Sequence, residues 1–582
     1  MSKYLFFSIF FFNISGVYCQ DDNESLKTQQ ITIFKSYTPE LTSVNKIRSL
    51  ISVNDMIKSD KVTVTYFLID IPVISTFKPN KVSPLNRKKN YSDEPNYNSH
   101  FDFGLGSAGQ LILDFSNHIT LDRSQSVGVD ILNTNYGSLN STKISSDESQ
   151  FIFGLDHVFS SQKMEMVHKV FLNQHKSNYY GIYENSSVLS DPLILDKINS
   201  SQERNSLQVL SNWKFYDSFF KEASLSVRVL NDSYGSKEEV VKIKTDILIP
   251  IFRMNLLVVP KLIYVNSFFK EDYFERKSIK SLYTKFETVI QLSNIENKLK
   301  YQIGSVITYL LSQSEKATPN ILISPKIMLS YGLNSSKFLP YLTLDGGIDL
   351  ISYSDISDLN PYVSPTLNLI PTQNIYNGRI GIKSSFDMGF DLNFGAHYKK
   401  QLNSFLFKRQ AYDSSIVSQG FRLANSYGLE YDNISQYGFF GETSINFGKE
   451  NILKVSMFQY VYDTDKISHP WNLPSFEGRL TLDIKIVDKL RISMSAKYLG
   501  ERPTAYRQVF LNQTSEKSPT ELKFLPPLSQ VKAEINYRFD SKWQSYLRAQ
   551  YNIGSIKSKW DYYLLNQNLI LSGIRYSFDL AF

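Results

Sequence analysis

The chain has 582 residues, a formal net charge of +7, 14% aromatic residues (37 Tyr and 40 Phe) and one cysteine, Cys19. So modest a charge over this length, with no clustered basic stripe, gives no support to a nucleic-acid partner. A single cysteine excludes a disulfide framework and a thiolate zinc site, and no cofactor is expected.

Residues 1–19 read as a signal peptide. Lys3 supplies the basic start, Leu5–Phe12 the apolar run and NISGVYCQ a turn-prone cleavage region. Cleavage after Cys19 leaves Gln20 as the first mature residue; Tyr18 is too bulky for the position before a lipidated cysteine. Beyond this leader no apolar stretch reaches about eighteen residues, which excludes transmembrane helices but not transmembrane strands.

Residues 20–98 read as a short N-terminal periplasmic extension. A polar start (DDNESLKTQQ) leads to the strand-like ITIFKSY and KVTVTYFLIDIPVISTFKP, while Pro39, Pro72, Pro79, Pro84 and the basic NRKKN argue against a compact core. The segment is a possible partial plug, although it is small for the folded plug of a transporter.

From residue 99 to 582 the pattern changes to long runs of period-2 alternation. Gly104-Leu105-Gly106-Ser107-Ala108-Gly109 matches a dinucleotide-binding fingerprint. A phosphate site needs a helix to open next, and Gln110–Asn117 is strand-like, so a tight glycine hairpin is expected instead. Leu480, Leu482, Ile484 and Ile486 share one face, opposed to Arg479, Thr481, Asp483 and Lys485. After Val487-Asp488-Lys489 the pattern resumes, with Leu490, Ile492, Met494, Ala496 and Tyr498 opposed to Arg491, Ser493, Ser495 and Lys497. Residues 531–553 repeat the arrangement around Asp540-Ser541-Lys542.

Connections between strands fall into two sets. Short ones lie near 118–125, 160–162, 217–220, 251–254, 294–297, 334–336, 387–388, 448–451, 487–489 and 540–542; longer ones include 176–205, 268–280, 351–373, 404–423 and 502–529. Short periplasmic turns alternating with long external loops characterise outer-membrane barrels, and ten short turns with both termini periplasmic imply about 22 strands, within 20–24. The fold class is all-β: a large antiparallel transmembrane β-barrel. The count treats 424–447 as one long strand.

The last strand puts Ser572, Ile574, Tyr576, Phe578, Leu580 and Phe582 on one face. Tyr576, Phe578, Leu580 and Phe582 match the terminal signal read by the barrel-assembly machinery, which is an expected partner together with outer-membrane lipid. The stretches YTPELTSVNKI and TFKP leading into HFDFGLGSAGQLILDFSN, the strand number, and the terminal SGIRYSFDLAF resemble TonB-dependent-receptor-like outer-membrane barrels that lack a conventional plug. That resemblance implies residence in the outer membrane and a transport or receptor role.

No site chemistry stands out. His100, His118, His157, His168, His175, His397 and His469 show no metal-binding spacing. Asp355 and Asp358, or Asp463 and Asp465, could supply oxygen ligands to Ca²⁺, though solvated loop charges explain them better. No serine pairs with a histidine in a hydrolase motif, so the chain reads as a non-enzyme. Arg379, Lys383, Arg479, Lys485, Arg491 and Lys497 are candidate lumen charges for selecting anions; the alternative is pairing with neighbours such as Asp483. The leading expectation is capture or passage of an unknown solute. A diffusion porin and a non-conducting scaffold docking a periplasmic or surface protein are the alternatives.

Overall fold

The computed structural model describes residues 97–139, 141–182, 192–294, 298–313, 321–332, 337–386, 389–413, 418–448, 450–507, 520–553 and 558–580. The signal-cleavage residues Cys19 and Gln20, residues 20–96 of the expected extension, and Phe582 lie outside them.

Alternating sequence becomes a closed antiparallel barrel of 22 strands. The first strand, β1 (Ser99–Gly106), pairs with the second (Leu111–Thr120) and also with the last (Asn568–Phe578), which seals the cylinder and leaves no sheet edge. Outside the barrel sheet stand two small hairpins, Arg502–Arg507 with Thr520–Leu525, and Ser558–Trp560 with Tyr563–Leu564.

Alternation decides what each face meets. Phe101, Phe103 and Leu105 are 40%, 39% and 55% exposed, whereas Asp102 between them is 5% exposed. The same outward exposure recurs at Ile303 and Ile307, at Ile323, at Ile380, at Phe439 and at Ile535. An apolar exterior on this scale is stable only against lipid. Near the short turns aromatic side chains pack into clusters: Trp543 lies 4.4 Å from Tyr576, and Phe386 lies 5.6 Å from Phe390, between ring centroids. Their flat, amphipathic rings suit the boundary between acyl chains and water.

Asp102 anchors the closing seam from inside. It accepts hydrogen bonds from Tyr546 Oη at 2.6 Å and Arg575 Nε at 2.8 Å. Arg575 continues to Glu534 at 3.2 Å, and Glu534 to Arg548 at 2.8 Å. A Cβ at Gly104 or Gly573 would come within 2.4 Å of the Tyr546 hydroxyl, so both positions are cleared for that ring. At the start of the described chain, Asn98 Nδ2 donates to Leu580 O at 2.9 Å, and Leu580 N donates to Asn98 Oδ1 at 2.8 Å.

The glycine-rich motif is the expected hairpin. Ala108 and Gly109 take left-handed φ of 56° and 64°, as a two-residue turn matching strand twist requires, and a strand follows at Leu111. The hairpin near Asp488 and the single strand Tyr427–Phe447 also form as read. The alternation of short and long connections is less regular than expected. Two outward connections, 107–110 and 233–236, are tight turns, each stabilised by left-handed glycine at Gly109 or Gly235.

Candidate functional site in the outer mouth

The described residues of three outward connections, 350–371, 410–413 with 418–426, and 558–567, converge in the mouth of the barrel. The strands there are long enough to reach them: Tyr427–Phe447 has 21 residues, where about 9–11 cross a bilayer. The excess forms a wall above the membrane.

Segment 350–371 leaves its own strands (Phe338–Asp349 and Thr372–Phe386) and crosses to the wall formed by Ser201–Phe215, Phe220–Asp232 and Lys237–Ile251. Its short helix, Tyr353–Leu359, starts at Ser352, whose hydroxyl accepts from Asp355 N at 3.1 Å. Glu238, 1% exposed, receives that first turn: Tyr353 N, Ser354 N and Ser354 Oγ all donate to its carboxylate, as does Ser267 Oγ. A carboxylate offsets the positive end of a helix and satisfies donors that have no helical partner. Arg228 reaches Asp355 at 2.8 Å, and Tyr353 Oη donates to Asp232 at 2.9 Å. On the far side Tyr283 Oη donates to Leu369 O and Tyr431 Oη to Asn368 O, each at 2.8 Å. Tyr427 O accepts from Ser364 N, while Tyr427 N donates to Tyr362 O. Beneath these bonds Phe269, Tyr353, Ile356, Val363, Leu367, Leu369, Trp560 and Tyr563 form a buried apolar cluster.

Segment 410–426 is held by a wholly buried Arg422 on the 3-10 turn Gly420–Arg422. Its guanidinium lies 3.2 Å from both Glu271 and Asp413, donates to Tyr273 O at 2.6 Å, and sits 5.1 Å from the ring centres of Tyr273 and Phe421. Planarity lets one side chain serve carboxylates at its rim and aromatic faces on its flanks.

Segment 558–567 closes on the other two. Tyr563 stacks on Tyr362 with centroids 3.5 Å apart, and its hydroxyl donates to Asn425 O. Asn425 Nδ2 in turn donates to Tyr179 O at 2.6 Å. Buried Asp561 lies between Arg409 at 3.4 Å and Lys523 at 2.9 Å. Burial pushes the Tyr362 and Tyr563 hydroxyls well above the usual phenol range, so both remain neutral.

The acidic loop residues have particular roles. Burial raises the Asp355 carboxyl, but Arg228 and Ser352 outweigh it and hold the group below its ordinary value; burial pushes Asp358 up. Asp355, its side chain 46% exposed, is thus an anchor through Arg228 as well as a partly solvated loop charge, and Asp465 accepts from Asn433 Nδ2. Among the described residues no cluster of three or more His, Cys, Asp or Glu side chains could hold a metal ion.

The candidate lumen charges separate into three places. Lys485 and Arg491 lie at the short-turn end, 2.8 and 3.0 Å from Glu450, with Asp488 3.2 Å from Lys485. Asp483, the expected partner, instead accepts from Ser493 Oγ, because the long cationic side chains reach down to the turn. Arg379 lies over Phe440 and Lys383 over Tyr341 on the face opposite outward Ile380. Arg479 stands directly across from Lys497 in the strand register. At the turn end, Tyr576 and Phe578 stack 5.2 Å apart. Glu238, Arg422 and Tyr563 were not readable in advance, since none belongs to a motif and each acts through residues distant in sequence.

No family model and no curated protein matches the chain. Solved structures do. The siderophore receptor PirA from Acinetobacter baumannii superposes with a TM-score of 0.61 at 10% identity, covering 82% of this chain and 80% of that one. The FrpB iron transporter from Neisseria meningitidis gives 0.59 at 11%, covering 83% and 82%. The ferripyoverdine receptor of the outer membrane of Pseudomonas aeruginosa gives 0.58 at 11%, covering 83% and 72%. The chain shares the large β-barrel fold of these proteins. With its lipid-facing apolar exterior, this barrel is an integral outer-membrane protein.

Proposed function

We propose that this protein is an outer-membrane receptor and transporter, which captures a solute on its external loops and admits it through the lumen. The observation that carries the reading is segment 350–371, drawn across the mouth and held by Glu238, Arg228, Tyr283 and Tyr431. A general diffusion pore has no use for a mouth knitted by buried hydrogen bonds; a receptor that opens when a ligand competes for those contacts does. The resemblance to TonB-dependent-receptor-like barrels supports the same reading.

The structural neighbours named above are described as receptors or transporters of iron or its chelates, so ferric chelates are the first solutes to test. The experiment compares uptake of labelled ferric chelates by cells carrying the protein, cells lacking it, and cells carrying a form without residues 502–529. Uptake that requires the protein and falls on loop removal supports transport. Equal uptake of every chelate and nutrient tested in all three strains would overturn it.

A further inference from the structure

Among the described residues, most buried cations have a carboxylate within ion-pair distance: Lys285 has Glu287, Arg409 has Asp561, and Arg422 has Glu271 and Asp413, as half-buried Arg575 has Asp102 and Glu534. Arg204 lacks one but donates to Pro361 O; Arg502 departs further. Arg502, at the foot of the hairpin Arg502–Arg507 with Thr520–Leu525, is 2% exposed, and Nε, Nη1 and Nη2 have no hydrogen-bond partner among the described residues. An isolated guanidinium taken out of water costs several kcal/mol unless something else solvates it.

The neighbours of Arg502 add positive charge. Lys559, on the adjoining hairpin, is within electrostatic reach of Arg502, Lys497 and Glu477; among the described residues it donates to Leu359 O at 3.5 Å and lies 5.4 Å from the centre of the Trp560 ring. Lys497 is directly opposite Arg479, and Lys532 pairs with Ser495, one inward position along the same strand. Like charges placed directly across a sheet repel. Glu477 interacts with Arg479, Lys497 and Lys559, yet no ion pair of 4 Å or less joins it to any of them among the described residues, and Glu501, next to Arg502 in the chain, is exposed. Lys497 and Lys532 are exposed, so a solute in the lumen reaches these two first, while Lys559 is half-buried and Arg502 buried.

We infer that Arg479, Lys497, Arg502, Lys532 and Lys559 form an anion-binding site on the lumen wall by the hairpins Arg502–Arg507 with Thr520–Leu525 and Ser558–Trp560 with Tyr563–Leu564, suited to a small solute bearing two or more oxyanion groups. The crowding of cations, without a matching set of carboxylates, is the pattern of a site whose counter-charge arrives with its ligand. Arg502 offers a planar fork to a carboxylate or phosphoryl group, while the lysines act as point charges around it. The inference rests on the receptor reading for its purpose. Its test does not, because binding requires no flux.

Burial, with Arg502 and Lys497 nearby, brings the Lys559 amine down to about 8. Its charge is therefore lost just above neutrality, and anion affinity falls as pH rises through that value. Bound anion opposes the loss by favouring the protonated amine.

The experiment is calorimetric titration of the whole folded protein in detergent with citrate and, separately, pyrophosphate, with maltotriose as the uncharged control. Saturable binding of at least one anion is expected, weaker at pH 9 than at pH 7. The double variant Arg502→Gln, Lys559→Gln should bind about tenfold more weakly or not at all. Lys532→Gln, a single change on a barrel strand, should weaken binding less, and Lys485→Gln, at the opposite end, should leave it unchanged. Heat-modifiable gel mobility verifies that each variant is folded. If neither anion binds, or if binding survives unchanged in both the double variant and Lys532→Gln, the site is overturned. Anion binding without protein-dependent uptake would instead remove the transport reading and leave the site standing.

Discussion

Tyr362 and Tyr563 lie ring on ring, 3.5 Å between centroids and 14° from parallel, and so join two loops that leave the barrel at different strands. Tyr180 completes the contact edge-on, 4.9 Å from Tyr563. Replacing both Tyr362 and Tyr563 with Ala removes the stack, which is worth about 1 kcal/mol beyond the buried area. Limited proteolysis should then cut within 350–371 or 554–567 faster than in the parent, while the barrel keeps its heat-modifiable mobility. Cutting at the parent rate would mean the loops are held elsewhere.

Glu238 gives a sharper test of the same segment. Glu238→Ala leaves the amides of Tyr353 and Ser354 without their acceptor, at a cost of about 2 kcal/mol for bonds to a charged group. Amide hydrogen exchange in 353–359 should accelerate accordingly, and Glu238→Gln should fall between the two. Unchanged protection in the alanine variant would show that the helix does not depend on this carboxylate.

For Arg422 the expected loss is larger. Arg422→Met fills similar volume but takes the nearer cation from Glu271 and Asp413, leaving Asp413 with Arg276 at 3.7 Å, at about 3 kcal/mol local to its segment. Adding Glu271→Gln should recover part of that loss, measured as protease resistance of the segment. A double variant no better than the single one would argue that packing against Tyr273 and Phe421, not charge, holds this arginine.

Lys559 sets a pH signature. Its folded value of about 8 lies below the ordinary lysine value of 10.5. Between those values the unfolded chain binds more protons than the folded one, so the contribution of this group to stability increases as pH rises from about 8 to 10.5. Lys559→Met should flatten that part of the pH profile of loop protection; an identical profile in the variant would contradict the assignment.

The glycine turn provides a local control. Ala108 occupies φ of 56°, a region that costs a non-glycine residue about 1 kcal/mol. Ala108→Gly should therefore raise resistance to denaturant slightly, without touching the mouth.

How much of this was legible in the sequence follows from what each feature depends on. The hairpin around Asp488 and the face shared by Leu480, Leu482, Ile484 and Ile486 are local, because a strand alternates with period two whatever surrounds it. Ten turns in series were enough to count 22 strands. The mouth was not legible. Ser354 meets Glu238, and Tyr563 meets Asn425, only after the barrel has closed and brought distant loops together. Even the lumen charges illustrate the limit: alternation puts Lys485 and Lys497 on one wall, but only the register shows Lys485 beside Glu450 and Lys497 facing Arg479.

The central claim is that the outer mouth is closed by segment 350–371 and opens to pass a solute. Single-channel conductance in planar bilayers tests it most directly, comparing the protein with a form whose residues 351–369 are replaced by a short Gly-Ser link, each with and without residues 20–96. Silence with segment 350–371 in place, and steady conductance once it is replaced in the shortened chain, is the result this account predicts. Steady conductance with the segment intact would contradict it and make the protein an open diffusion pore.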